Sequence, residues 1–180
     1  MAILLVLAGH ETTVNLVGMG VMTLLLHPGQ LAVLRADAAL LPSAVEELIR
    51  HTGPIGTGLA RFATTDLDLA GTRVRRGDLV VTSLAAANRA PARFTDPHRF
   101  DVRRGEAPHV GFGHGIHFCL GAALARLEAE VAIGTTLRRL PDLALAKPAE
   151  RLEWRTSSLR GLAELPVTFT PSPPLARPPH

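Results

Sequence analysis

The residues best suited to do chemistry in this chain surround its single cysteine, Cys119. Three glycines and two histidines frame it, namely Gly113, Gly115, Gly121, His114 and His117. Glycine lets a backbone approach a ligand closely and adopt positive φ. A thiol just before a helix meets unpaired N–H groups and the positive end of the helix dipole. This setting favours the thiolate, which is the form that binds metals and attacks electrophiles.

The residue types around Cys119 allow three chemistries. A zinc site could use His114, His117 and Cys119, with His109 as a fourth ligand. A nucleophilic site could pair Cys119 with His117 as its base. The third is a planar cofactor that lies against the thiolate. Of the three chemistries, only this one explains both the framing glycines and the sulfur.

A second polar segment, residues 8–13, interrupts an otherwise apolar stretch near the N-terminus. Gly9 loosens a helix there, and the Thr12 hydroxyl can bond a backbone carbonyl. Glu11 beside Thr12 forms an acid–alcohol pair that can pass protons, and a carboxylate among apolar residues is costly unless it is paired or used. The alternative is a cap between two separate helices, with Thr12 or Thr13 as the N-cap.

Glu47 and Arg50 lie three positions apart, so they share a helix face and can form an ion pair. Apolar neighbours favour its partial burial over a surface ion pair, and a buried pair needs further hydrogen-bond partners. Arg99 could extend this network. Arg61, near the start of a predicted strand, could be a surface charge or could meet an anionic ligand group bidentately.

The elements that position these residues are mainly α-helical. Residues 2–26 are predicted to form one helix, interrupted near Gly9 and ended by the His-Pro-Gly sequence that follows. A short helix is predicted over residues 30–38, and another over 44–51 with Ser43 as its N-cap.

The middle of the chain changes to short β-like runs at residues 59–63, 67–69 and 79–84. Gly71 and Gly77 mark turns between them, so a small sheet is predicted. Residues 120–140 show helical periodicity, with an apolar stripe predicted to face the core. The stripe consists of Leu120, Leu124, Leu127, Val131 and Leu137.

The composition describes one domain with a hydrophobic core. The chain has 180 residues, of which 47% are hydrophobic and 19% are charged, and this excludes general disorder. A single cysteine excludes an intramolecular disulfide framework. The net charge of +3 comes almost entirely from arginine, but aromatic residues are few, so no nucleic-acid surface is predicted. Residues 171–180 contain five prolines and are predicted to be a disordered tail after a domain at 1–170.

The apolar N-terminus is predicted to be a buried helix, with no membrane contact. A secretory signal needs a basic region that this sequence lacks, and a membrane helix needs roughly 20 unbroken apolar residues, which residues 10–13 interrupt. We therefore expect a cytoplasmic protein. A chain that begins inside such a helix also resembles part of a longer one.

The order of these features resembles the cytochrome P450 family, specifically its soluble bacterial members. Residues 112–121 match the family's haem-binding loop at its fixed Phe, Gly, His and Cys positions. Residues 8–13 resemble its oxygen-activation segment, and Glu47 with Arg50 resembles its structural ion pair. Residues 96–100 resemble the segment whose arginine, here Arg99, completes that ion network.

The resemblance covers about residues 2–170 and less than half of a family member. It implies the C-terminal part of that fold, from the central oxygen-activation helix through the haem-binding loop and the following helix. One local departure is Ala90, which follows Asn88 and Arg89 where the family usually has an acid.

The resemblance implies a haem-thiolate monooxygenase that hydroxylates a small organic substrate with O₂ and external electrons. Cys119 would be the axial ligand of haem b iron, and Glu11 and Thr12 would deliver protons. The other residues implied to bind the cofactor are Arg61 and His117, at the propionates, together with Phe112, Gly113 and Gly121.

The resemblance also implies two partners. The substrate pocket would run along residues 55–60, and an acidic ferredoxin-type electron donor would meet basic residues on the thiolate side, namely Arg103, Arg104 and Arg126. The alternative function is a truncated, non-catalytic fragment that only binds haem or a partner.

Overall fold

Helix α1 (Ala2–Leu26) is the longest element and supplies one wall of the core. The computed structural model describes residues 2–105 and 108–170, so the tail predicted at 171–180 lies outside the described residues. Helix α2 (Pro28–Ala36) begins immediately after His27. Proline cannot continue α1, but it suits the first turn of a new helix, where its missing N–H is not needed.

Helix α3 (Leu41–Thr52) begins earlier than the sequence predicts. Pro42 occupies its first turn, so Ser43 lies inside the helix, and the N-cap is Leu40 without a side-chain hydrogen bond. The predicted Ser43 cap is therefore wrong. The helix ends at Thr52, and the N–H of Gly53, its C-cap, donates to the Ile49 carbonyl at 3.1 Å.

Within the described part of the chain, six short strands form three antiparallel pairs instead of one small sheet. The pairs are β1 (Arg61–Phe62) with β4 (Leu79–Val80), β2 (Leu67–Leu69) with β3 (Thr72–Val74), and β5 (Ala144–Leu145) with β6 (Val167–Thr168). Gly71 and Gly77 have φ of +83° and +91°, which confirms the predicted glycine turns. Helix α4 (Leu84–Ala87) is a single turn, and the Ser83 side chain caps it.

Helix α5 (Ala122–Arg139) packs on α1 and α3 through small and branched residues, including Ala129 and Ile133. Gly20 of α1 allows this close approach, because a Cβ there would lie 3.1 Å from Ile133 and 3.2 Å from Leu48. The predicted stripe of α5 is wrong except at Leu137. Its other four members are more than half exposed, namely Leu120, Leu124, Leu127 and Val131.

Burial divides α1 into two parts. Leu16, Met19 and Leu24 are buried in the core, whereas residues 3–7 and Val14 are exposed apolar side chains. The predicted buried helix is thus correct only for the C-terminal half. By length and composition alone, residues 3–26 could also cross a membrane, although the core helix of a soluble protein passes the same test.

His51, at the end of α3, packs its ring against His27 and Phe100, with ring centroids 6.1 Å and 5.5 Å away. Its Nε2 lies 3.2 Å from the His98 carbonyl and donates to it. The pKa of His51 is lowered to about 4, mainly by burial. Repulsion from Arg89 and Arg50 lowers this pKa further, whereas the hydrogen bond to the His98 carbonyl raises it. The ring is therefore neutral at physiological pH.

We expect stability to fall as the pH drops from about 6.5 to about 4. In that window the unfolded chain protonates His51 and the folded chain does not, so acid favours unfolding. Because the ring is only partly buried, the loss attributable to it is about 1–2 kcal/mol. This loss is measured by urea denaturation of the wild type and of His51→Gln. Glutamine keeps a hydrogen-bond donor but does not titrate. Parallel curves over this pH range would contradict the prediction.

Candidate functional site

A cavity of about 750 Å³ lies where α1, α3, β1 and the loop of Cys119 meet, and its walls are mostly apolar. It brings together residues that are distant in the sequence. Thr12, Arg61 and Cys119 all line it. Phe112, Gly113 and His117 line it as well, so six of the eight predicted catalytic and cofactor-binding residues share this cavity, and Glu11 and Gly121 do not.

The loop that carries Cys119 is held by its own backbone. The Gly113 N–H donates to the Val110 carbonyl, and the Cys119 N–H donates to the Phe112 carbonyl, both at 2.9 Å. Gly113 and Gly115 have φ of +77° and +72°, a region that residues with a Cβ rarely adopt. This loop therefore needs glycine at both positions for its shape.

Gly111, two residues before Gly113, is a further loop glycine with a structural role. A Cβ at this position would lie 2.5 Å from Cγ2 of Ile49, so the loop rests directly on α3. Gly121 differs, because it has φ of −87° as the N-cap of α5 and no atom lies within 4 Å of a Cβ placed there.

We expect Gly111→Ala to lower the free energy of unfolding by about 1–3 kcal/mol, because the added methyl overpacks the contact with Ile49. Gly121→Ala is the matched control, and its cost should stay below about 1 kcal/mol. Urea denaturation of both variants tests the difference. Equal costs would show that close approach to α3 is not what requires Gly111.

The zinc alternative is not supported by the geometry. Within residues 2–105 and 108–170, no group of three or more His, Cys, Asp or Glu side chains is placed to hold a metal ion. His109, the suggested fourth ligand, is engaged elsewhere, since its Nδ1 accepts from the Gly111 N–H at 3.0 Å. The other two chemistries both use the thiol that faces the cavity.

The polar segment of α1 is a continuous part of the helix, so the alternative of two separate helices is wrong. The Thr12 hydroxyl donates to the Ala8 carbonyl at 2.6 Å, as expected for a threonine inside a helix. Glu11 points elsewhere: its carboxylate is about half exposed and lies 3.5 Å from Nη1 of Arg155. The predicted acid–alcohol pair is therefore split between the surface and the cavity.

The predicted ion pair of Glu47 and Arg50 is present and buried. Arg50 donates through Nε and Nη2 to the two carboxylate oxygens, at 2.6 Å and 2.8 Å. Its Nη1 donates to the carbonyls of Asn88 and Pro97, both at 2.8 Å. These bonds tie α3 to the loop that follows α4.

Arg104, not the Arg99 side chain, completes this network. Arg104 donates through Nε to Glu47 at 3.1 Å and is 7% exposed. The Arg99 side chain is 64% exposed and its guanidinium pairs with Asp101 at 2.5 Å. Arg99 takes part in the network through its backbone carbonyl, which accepts from Arg50 and Arg104. The path of the loop turns Arg104 inward and Arg99 outward. Arg104 is consequently unsuited to meet an external partner.

A second ion cluster, absent from the sequence predictions, consists of Glu46, His109 and Arg126. Arg126 donates to both carboxylate oxygens of Glu46, at 2.6 Å and 3.0 Å, and Nε2 of His109 lies 3.2 Å from one of them. Burial alone would raise the pKa of Glu46, but hydrogen bonds from His109 and Arg126 and the Arg126 charge lower it to about 2. Glu46 is therefore a carboxylate at any physiological pH.

Comparisons with known proteins agree with this architecture. The family model described as Cytochrome P450 matches residues 34–141. The chain is 54% identical over 170 residues to cytochrome P450 monooxygenase PikC of Streptomyces venezuelae, covering 94% of this chain and 41% of the relative. It is 52% identical over 168 residues to cytochrome P450 107B1 of Saccharopolyspora erythraea, covering 93% and 42%.

A solved structure, the tirandamycin C-bound P450 monooxygenase TamI, superposes with a TM-score of 0.91 at 51% identity. The match covers 94% of this chain and 43% of that one. The chain thus spans about two fifths of the length of the relatives it matches. By the family match, the sequence identity and the superposed fold, this chain belongs to the cytochrome P450 family.

Proposed function

We propose that residues 1–170 form the C-terminal portion of a haem-thiolate monooxygenase domain, with Cys119 as the axial ligand of haem b. The observation that carries the proposal is the cavity that gathers the Cys119 thiol, Arg61, His117 and the Thr12 hydroxyl. The reaction is O₂-dependent hydroxylation of an organic small molecule with electrons from a redox partner.

The residues of the cavity fit a haem. A thiol faces the cavity from one wall, and the positive φ of Gly113 and Gly115 lets the backbone curve beside it without a side chain in the way. A Cβ at Gly115 would meet no atom within 4 Å, so the loop is open there. Arg61 and His117 can pair with the two carboxylates at the edge of the cofactor. Phe112 and Gly121 complete the proposed set.

Haem held by a thiolate supplies dioxygen chemistry, and electron donation from the sulfur favours O–O cleavage. The chain's own residues orient the reactants and hold protons. Thr12 presents its hydroxyl to the cavity while bonded to the Ala8 carbonyl, so its lone pairs are available to accept a hydrogen bond. Glu11 places its carboxylate on the solvent side of the same helix turn, about half exposed.

The substrate is proposed to be a largely apolar organic molecule. The cavity lining includes Leu16, Ile55, Leu59 and Leu84, which offer apolar contact area. Ile55, Thr57, Gly58 and Leu59 line the cavity, which supports a role for part of the 55–60 segment in bordering the substrate.

The electron donor is proposed to be an acidic, ferredoxin-type protein. Of the three arginines expected to meet it, Arg103 is exposed, the Arg126 side chain is 35% exposed and the Arg104 side chain is only 7% exposed. We therefore assign the contact to Arg103 and the exposed edge of Arg126, where charge complementarity raises the association rate. We also infer a cytoplasmic location, because the C-terminal half of α1 is packed in the core.

The reduced carbon monoxide spectrum of the purified chain loaded with haem tests the proposal. A thiolate-type Soret band supports it, and haem binding without that band contradicts it. The alternative, a non-catalytic fragment, is favoured by the exposed apolar residues of α1 and α5. A thiolate-type band without substrate oxidation, in the presence of an electron donor, would select that alternative.

A further inference from the structure

The Glu46 cluster connects three elements that surround the cysteine loop. Glu46 lies on α3, Arg126 on the first turns of α5, and His109 at the start of the loop. The His109 side chain is 6% exposed, whereas those of Glu46 and Arg126 are 39% and 35% exposed. The bidentate geometry of Arg126 on one carboxylate fixes both position and orientation, since two parallel hydrogen bonds specify a plane.

His109 connects the cluster to the entry of the loop. Its Nδ1 accepts from the Gly111 N–H at 3.0 Å, so in the neutral ring the proton resides on Nε2. Nε2 lies 3.2 Å from a carboxylate oxygen of Glu46, within ion-pair distance. The carboxylate is thereby connected through one imidazole to the backbone that leads directly into Gly113.

Arg126 connects the cluster to the exit of the loop. Its guanidinium lies over the Phe112 ring, 4.5 Å from the centroid. The Phe112 carbonyl in turn accepts the Cys119 N–H at 2.9 Å. Hydrogen bonding to Glu46 raises the pKa of Arg126 against the effect of burial, and the negative charge of Cys119 contributes to the rise, so this cation lies within electrostatic range of the thiolate.

We propose that Glu46 is a positioning residue that fixes both ends of the Cys119 loop, through His109 at its entry and Arg126 at its exit. The effect of Glu46 on the loop does not depend on haem binding. Only the consequence for the haem ligand rests on the proposed function. Arg126 is on this view mainly an internal structural cation, with only its outer edge available to a partner.

Hydrogen exchange of the full chain tests the effect on the loop. In Glu46→Gln, the amides of Gly111, Gly113 and Cys119 should exchange about tenfold faster, because a neutral amide holds neither partner as strongly. Glu164→Gln is the matched control, since it removes an exposed carboxylate that pairs with Lys147 at 2.8 Å. Unchanged loop exchange in Glu46→Gln overturns the proposal. So does an equal increase in the core of α5, which would show general destabilisation only.

A double-mutant cycle tests whether the cluster acts as a unit. Arg126→Gln should accelerate hydrogen exchange of the same amides. In the Glu46→Gln background the further increase should be small, whereas additive increases would contradict the proposal. Arg138→Gln, on the same helix, is the control for loss of an arginine. His109→Gln keeps a polar side chain beside Glu46 and should leave the exchange of these amides near that of the wild type, whereas His109→Leu should accelerate it.

The haem-loaded chain provides a spectroscopic measurement. Glu46→Gln should raise the fraction of the reduced carbon monoxide complex that shows a neutral-thiol rather than a thiolate-type Soret band, and Glu164→Gln should not. An unchanged fraction would contradict the link to the ligand. If the wild-type chain holds no haem, the proposed function fails, and the exchange experiment still decides the role of Glu46.

Discussion

Replacing Cys119 with alanine is expected to abolish the thiolate-type Soret band of the haem-loaded chain. No other residue can substitute, because Cys119 is the only cysteine in the sequence. The thiol is exposed to the cavity, not packed in the core, so its loss should change the free energy of unfolding by less than about 1 kcal/mol. The effect is therefore on the ligand and not on the fold.

The spectrum must be compared with a neighbour that shares the cavity. His114→Ala is the matched control, since His114 lines the same cavity in the same loop but is not the proposed ligand. Difference spectroscopy of the reduced carbon monoxide complex, with haem content measured separately, gives the result. A thiolate-type band retained in Cys119→Ala would refute the assignment, and its loss in His114→Ala would show that any change in the loop suffices.

The features predicted best from the sequence are those set by local spacing. Two residues three apart on a helix must share a face, so the pairing of Glu47 with Arg50 follows from the periodicity of α3. Glycines in a short loop that ends in a thiol indicate backbone with positive φ, and Gly113 and Gly115 have it. In each case the contact involves only a few neighbouring residues.

The features predicted wrongly depend on the path of the chain between distant segments. Arg99 and Arg104 belong to one loop and carry the same charge, and only the fold of that loop decides which guanidinium reaches Glu47. The Glu46 cluster was missed for a similar reason, because its carboxylate and Arg126 are 80 residues apart in the chain.

The face of α5 was misjudged because both of its faces carry apolar residues. Periodicity favoured the row of large side chains, but the buried face carries Ala129 and Ile133, and Ile133 fits against Gly20 of α1. Close packing of two helices favours small residues at the contact. A row of large apolar side chains therefore does not identify the packed face. The large residues remain exposed in a chain that spans about two fifths of its relatives.

Glu47→Gln is expected to cost about 3–5 kcal/mol of stability, the largest effect on folding of any substitution considered. The Glu47 carboxylate accepts two bonds from Arg50, one from Arg104 and one from the Asp101 N–H at 3.0 Å. Gln removes the charge that balances two buried guanidinium groups, and it brings an N–H₂ group where only acceptors are needed. Against a total stability of roughly 5–15 kcal/mol for a domain, this loss can prevent folding.

Arg99→Ala distinguishes this network from the one predicted from the sequence. Its side chain is mostly exposed and its guanidinium pairs with Asp101 at the surface. Its loss should therefore cost less than about 1 kcal/mol, and that cost should shrink further in high salt. Arg104→Ala should resemble Glu47→Gln instead, since it leaves part of the buried carboxylate without a partner. Urea denaturation at low and high salt measures all three variants. If Arg99→Ala proved as damaging as Arg104→Ala, the side chain that closes the network would have been assigned incorrectly.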